Sequence, residues 1–263
     1  MANHLAAGAI PMTQRTTQDW HQRYLQQASW TQDLRRYLFA QVGMEKAARV
    51  IEIGCGTGAI LSDILDSNPS GVYGLDISAE NLHLASETSS GCHLTHGDAL
   101  NLPFESGTFD LVLCHYFLLW VSYPGRGLAE MRRITRPGGY VIALAEPDYG
   151  GRIDFPSPLD ELGILQTRSL TNQGADVHMG RKLSRLISSA GLVEIQAGVL
   201  VNYWSEPPGE QARKLEWDVL LDDILEYKPG MDLTDYLLVE QSSWDHGNRV
   251  LFVPTFYAWG KVP

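Results

Sequence analysis

A doubly wound α/β sheet is the fold this sequence predicts, and three observations predict it. The stretch Arg49–Ile60, RVIEIGCGTGAI, runs a β-branched strand into a glycine-rich turn and then a helix start. Short apolar runs separated by helix-like stretches recur between residues 72 and 145, as in parallel strands joined by crossover helices. Apolar residues make up 44% of the 263, enough for a large buried core.

Val50, Ile51 and Ile53 suit a buried parallel strand, and Gly54, Gly56 and Gly58 follow at steps of two. Such a turn brings backbone close to a ligand and is expected to point free N–H groups at it. A nucleotide-type cofactor at the carboxyl end of the first strand is the generic reading. The spacing differs from GxGxxG, where the third glycine comes three residues after the second.

The segment Glu52-Ile53-Gly54-Cys55-Gly56-Thr57-Gly58 resembles the first motif of the class I S-adenosylmethionine-dependent methyltransferases, in particular their small-molecule, type-11-like domain. The resemblance covers roughly residues 49–146. It implies S-adenosyl-L-methionine as cofactor, S-adenosyl-L-homocysteine as product, and a Rossmann-like seven-stranded, mainly parallel sheet of order 3-2-1-4-5-7-6 with helical lid insertions.

In chain order, residues 1–18 read as a mobile arm, and Asp19–Val42 as cap helices carrying Tyr24, Trp30, Leu34, Tyr37 and Leu38, stopped by Gly43. The family folds such helices over the cofactor; packing against the sheet edge is the plainer role for Tyr24 and Trp30. A helix over about 59–66 breaks at Asn68–Gly71, and Val72–Ser78 forms the second strand. Its Asp76 matches the family's ribose-binding acid, with N-capping as the rival role, one that Ser78 serves equally well. Cys92–His96 is the third strand. His93 and His96 lack a third ligand, so packing roles are expected. In the family the acid at Asp98 holds the adenine amino group, with the Ala99 N–H at the ring. Asp110–Cys114 is the fourth strand, ending in His115-Tyr116, and a helix over about 125–134 follows. Arg136-Pro137-Gly138-Gly139 turns the chain into the fifth strand, Tyr140–Ala145, another match to the family.

Beyond Glu146 a turn-rich lid is expected through about residue 177, then a helix at 181–190 and a sixth strand at 192–204. Residues 206–245 hold 11 acids against three bases, with helices over Gln211–Tyr227 and about 232–243. Their acids are expected to face solvent. Arg249–Trp259 is the seventh strand, which the family runs antiparallel, and Pro254 predicts a bulge or split in it. The expected organisation is an N-terminal arm and cap at 1–43, then a methyltransferase domain at 44–263 with insertions at about 147–178 and 206–247.

The formal charge of −11 disfavours a nucleic-acid partner, since phosphate contacts need clustered bases. Three cysteines without CxxC spacing support neither a disulfide framework nor a metal site. With no leader and no long apolar run, a cytoplasmic protein, monomeric or homodimeric and off the membrane, is expected. Cofactor-binding candidates are Glu52, Gly54, Cys55, Gly56, Gly58, Asp76, Ile77, Asp98, Ala99 and His115, and His115 is also the candidate base or orienting group. Substrate-binding candidates are Tyr24, Trp30, Tyr116, Asp148, Tyr149, Arg152, Tyr203 and Trp217. Arg152 suits an anionic acceptor or a solvated salt bridge. The expected activity is methyl transfer to a small molecule, with oxygen, nitrogen, carbon and sulfur acceptors all open. Methylation of a protein or RNA, nicotinamide-dependent oxidoreduction and a non-enzymatic cofactor-binding role are the alternatives.

Overall fold

A computed structural model describes residues 15–67, 69–200 and 208–263. The described residues form two compact units: a sheet unit of residues 17–67, 69–147, 178–200 and 255–263, and an insert unit drawn from residues 15–16, 148–177 and 208–254.

In the sheet unit, cap helices α1 (Thr17–Trp30) and α2 (Gln32–Val42) precede the first strand, β1 (Val50–Ile53). Gly43 ends α2 with a left-handed φ of 67° and a backbone N–H returned to the helix. There follow α3 (Leu61–Asp66), β2 (Val72–Asp76), α4 (Ala79–Thr88), β3 (His93–His96), β4 (Phe109–Cys114), α5 (Pro124–Ile134) and β5 (Thr135–Pro147). The unit closes with α7 (Met179–Ser189), β7 (Val193–Leu200) and β9 (Thr255–Lys261). Its seven-stranded sheet has the order β3-β2-β1-β4-β5-β9-β7, with β9 antiparallel to both neighbours. This is the expected 3-2-1-4-5-7-6 arrangement. Val50, Ile51, Ile53, Leu111, Val112, Leu113, Val141 and Ile142 are buried in the central strands, as a sheet covered on both faces demands.

In the insert unit, β6 (Ile153–Phe155) and β8 (Val250–Phe252) form an antiparallel ribbon beside α6 (Leu159–Asn172), α8 (Glu210–Tyr227) and α9 (Thr234–Asp245). Pro254 divides the final apolar run, so Val250–Phe252 joins the ribbon and Thr255–Lys261 joins the large sheet. The turn-rich reading of residues 146–177 needs correction, because α6 spans 14 of them. Leu159, Leu162, Leu165 and Leu170 supply its buried face; the prolines and glycines ahead of it masked that periodicity. The insert acids also depart from expectation. Asp222 and Asp223 are buried on α8, while Leu225 is exposed. The sixth-strand residues 201–204, Tyr203 among them, lie outside the described residues.

No helix among the described residues is long and apolar enough to cross a membrane.

Candidate functional site

The carboxyl ends of β1, β2 and β4 converge on the glycine turn. Gly54, Gly56 and Gly58 have φ of 72°, 51° and 83°, values that glycine adopts at little steric cost. The N–H groups of Gly54, Cys55, Gly56 and Gly58 are not free. Gly54 and Cys55 both donate to the Leu75 carbonyl, at 2.8 and 3.0 Å, and Gly58 donates to Cys55 at 2.9 Å. Gly56 donates to Asp76 Oδ2 at 2.8 Å. The turn is therefore stitched to the end of β2 through Leu75 and Asp76.

Asp76 lies at the end of β2, 8% exposed, and its other oxygen accepts the Ser78 N–H at 2.8 Å. The capping role falls to Ser78, whose hydroxyl accepts the Asn81 N–H. Ile77 next to it is 70% exposed, an apolar side chain presented where the strand ends. Asp98 is exposed and accepts the Leu100 N–H at 2.8 Å, and Ala99 behind it is buried.

Two aromatic rings face the glycines. Phe117 occupies the space that a Gly54 Cβ would need, and a Gly56 Cβ would stand 3.7 Å from the Tyr24 ring. Tyr24's hydroxyl is held above its ordinary pKa by burial and by the nearby Asp76 charge. Gly58 instead permits close packing against Ala85 and Ser89 near the end of α4. Cys55 packs its thiol against Gly74 on β2, and burial pushes its pKa well up, so it is an inert filler. His93 stacks on Tyr73 at 4.8 Å between centroids, and His96 Nε2 meets the Ile77 carbonyl at 2.9 Å.

Beneath the turn lies an ionic group that the sequence reading missed in part. Arg35 on α2 is buried and donates to Asp63 Oδ2 at 2.9 Å, to the Ala28 carbonyl at 2.6 Å and to Thr31 Oγ1 at 2.6 Å. Thr31 Oγ1 in turn lies 2.8 Å from His115 Nε2. Thr31, Arg35, Leu38 and Val42 share one face of the cap helices at i, i+4, i+7 and i+11, and that spacing was the available signal. Likewise His21 Nδ1 lies 2.8 Å from Thr57 Oγ1, tying α1 to the glycine turn.

Burial pushes the Glu52 carboxyl up to about 8, opposed by Arg35 and reinforced by Asp76 and Asp63. Among the described residues, its buried Oε2 has no hydrogen-bond partner. His115 is driven the other way, down to about 3, by burial and then by the Arg35 charge. Its accessible surface is that of a half-buried residue, but the ring points inward to Thr31 beside Arg35, so the neutral imidazole is the form to expect. A base this weak is poorly matched to taking a proton near neutrality.

The described substrate candidates divide between the two units. Trp30, half-exposed, carries the Arg23 guanidinium 4.9 Å from its ring centroid. Tyr116 follows His115 with a φ of 49°. Asp148 and Tyr149 belong to the insert unit, where their N–H groups donate to the Pro254 and Val177 carbonyls at 2.8 and 2.9 Å. Arg152 is engaged by Asp154 and Gln166 with its side chain 7% exposed, so the solvated salt bridge becomes a buried one. Trp217 is packed in that unit's apolar cluster with Leu162, Leu220 and Ile224.

Against known proteins, the family model described as a methyltransferase domain matches residues 51–143, from β1 into β5. Residues 51–143 are a class I S-adenosylmethionine-dependent methyltransferase domain. The cofactor of such a domain is S-adenosyl-L-methionine, and S-adenosyl-L-homocysteine its product. The chain carrying this methyltransferase domain is 32% identical over 178 residues to an uncharacterized 37.1 kDa protein of a Streptomyces fradiae transposon, covering 64% of this chain and 51% of that one. It is 30% identical over 157 residues to a demethylmenaquinone methyltransferase of Renibacterium salmoninarum, covering 58% and 66%. The chain spans about half the length of most of the curated relatives it matches. Among solved structures, the (4+2)-cyclase SpnF shares the fold with a TM-score of 0.56 at 16% identity, over 88% of this chain and 81% of its own.

Proposed function

We propose that the protein transfers a methyl group from S-adenosylmethionine to a small-molecule acceptor. The observation that carries the cofactor assignment is the glycine turn joined to Asp76, with exposed Ile77 beyond it and the orphaned Glu52 oxygen beneath. A donor set rich in carboxylates fits a cofactor bearing a sulfonium and an ammonium group, and suits a pyrophosphate poorly. Asp76 would hold the ribose hydroxyls, Ile77 the face of the adenine, Asp98 and Ala99 its edge, and Glu52 would face the amino-acid end. The bound group supplies an already activated methyl carbon, leaving orientation and water exclusion to the protein.

The chain's own side chains favour orientation over proton removal. His115, neutral and fixed on Thr31, acts as an orienting group and not as a general base. That suits an acceptor that attacks through its own lone pair, such as a neutral amine or a thiolate, or an acidic hydroxyl already ionised near neutrality. The similarity to a demethylmenaquinone methyltransferase supports including quinol-like compounds in an acceptor screen. Since a cyclase shares the fold, methyl transfer must be argued from this site and not from topology.

Calorimetric titration with S-adenosylmethionine and with S-adenosylhomocysteine tests the cofactor assignment; saturable binding of both is expected. Folded protein that binds neither overturns it. A screen of small aromatic amines, thiols and quinols, with unmodified peptides and RNA as the competing acceptor classes, tests the acceptor.

A further inference from the structure

We propose that Glu146 is a positioning residue of this site, its buried carboxylate fixing the His115–Leu119 loop against the glycine turn. The proposal rests on the cofactor reading above and deepens it. Glu146 lies near the carboxyl end of β5 with no exposed surface. One of its oxygens accepts the N–H groups of Phe117 at 3.0 Å and Leu118 at 2.7 Å, and the other accepts that of Leu119 at 3.1 Å. The Tyr116 N–H donates to the Ala145 carbonyl at 2.9 Å. Consecutive N–H groups from 116 to 119 are thus all held by two adjacent residues of β5.

An ionised carboxylate suits this task, because it is acceptor-only and its two oxygens can take several donors at once. The loop it holds has features that do not hold themselves. Tyr116 has a φ of 49°, a region that non-glycine residues keep only where the surroundings impose it. The Phe117 ring fills the space beside Gly54, and the His115 ring is set toward Thr31. A shift of this loop would move both the group facing the cofactor turn and the group expected to orient the acceptor. Burial pushes the Glu146 carboxyl up to about 7, and the three N–H donors pull it back, so its charge is poised near neutrality. The titratable neighbour from β4 is Cys114, which burial keeps a neutral thiol.

The test compares wild type with Glu146→Gln by calorimetric titration with S-adenosylhomocysteine and by hydrogen exchange between about pH 6 and pH 8.5. Glutamine keeps the shape and one acceptor oxygen but sets an NH2 group against an N–H donor. The variant is expected to bind about tenfold more weakly and to exchange amides 117–119 at least about tenfold faster, with β1 and β2 unchanged. Wild-type affinity should fall more steeply than the variant's as the pH drops through about 7. Glu52 titrates in both proteins, so its contribution cancels in the comparison. Equal affinity and parallel pH profiles in the two proteins overturn the positioning role and leave the cofactor reading intact. Absence of binding in wild type overturns the cofactor reading itself, and unchanged exchange at 117–119 then removes the positioning role as well. Should the variant fail to fold, a wild-type affinity that does not vary across this pH range overturns the proposal.

Discussion

Each unit is held together internally by different physics. The sheet unit buries continuous apolar strands, and Glu52, Asp76, Arg35, Thr31 and Glu146 are buried toward its ligand end. The insert unit has an apolar cluster around Leu162, Trp217, Leu220 and Ile224, but charge runs through its interior as well. Arg249 donates to Asp154 at 2.8 Å and to Glu240 at 2.6 Å, and Arg152 donates to Asp154 at 2.5 Å and also to Gln166. Gln166 and Gln173 donate to the two oxygens of Asp223, at 2.8 and 3.1 Å, and Arg15 donates to Asp222 at 2.6 Å. In the sheet unit buried charge marks the candidate site. In the insert unit it ties together segments distant in sequence. A buried ion is thus not by itself evidence of function. Glu52 leaves an oxygen open, whereas Asp154 and Asp223 use both of theirs.

Removing a cation from the closed network should have the largest effect. Arg249→Met leaves Glu240 and Asp154 under-compensated and should cost about 3 to 5 kcal/mol. Hydrogen exchange should show this as lost protection in α8 and α9 with β1 and β4 unaffected; equal loss in all four would mean that the units unfold as one. Next in size, Gly56→Val puts a β-branched residue at a φ of 51° under the Tyr24 ring. S-adenosylmethionine binding should weaken about 100-fold, near 2.7 kcal/mol, while the melting temperature falls by a few degrees at most. Asp76→Ala removes the acceptor for the Gly56 and Ser78 N–H groups and should weaken the same binding about tenfold. An unchanged dissociation constant in either variant would place the cofactor elsewhere.

The smallest effect is a change in pH dependence. Glu52 has a folded pKa of about 8, above its unfolded value near 4.5. Between those values the folded state holds a proton that the unfolded state has released, so stability falls as pH rises through this window. Glu52→Gln removes that loss. Its melting temperature should match wild type near pH 4.5, exceed it progressively up to about pH 8, and keep a constant margin above that. A constant offset at all pH values would show that the open carboxylate does not titrate in this range.

Much of the sheet unit was legible in the sequence because its signals are local. The glycine turn, the acid ending β2, the Arg136–Gly139 turn and the apolar strands each lie within a few consecutive residues. The stop at Gly43 and the break at Pro254 were readable for the same reason, since backbone geometry at glycine and proline is nearly independent of context. The insert unit was less legible. Helix α6 was hidden behind Pro156 and Pro158, and the burial of Asp222 and Asp223 depends on partners 50 or more residues away.

The sequence by itself determined the order of the strands and helices in the sheet unit, the cofactor class that its motif resembles, and the acids that end the strands. Tertiary structure alone decided which groups are closed and which are open. It turned the glycine N–H groups inward to Leu75 and Asp76, gave Arg152 internal partners, set Arg35 beside Glu52 and His115, and placed Glu146 under three amides of one loop. The physical reason is that a strand or turn is specified by neighbours along the chain, whereas desolvation and charge pairing depend on what folding brings near in space.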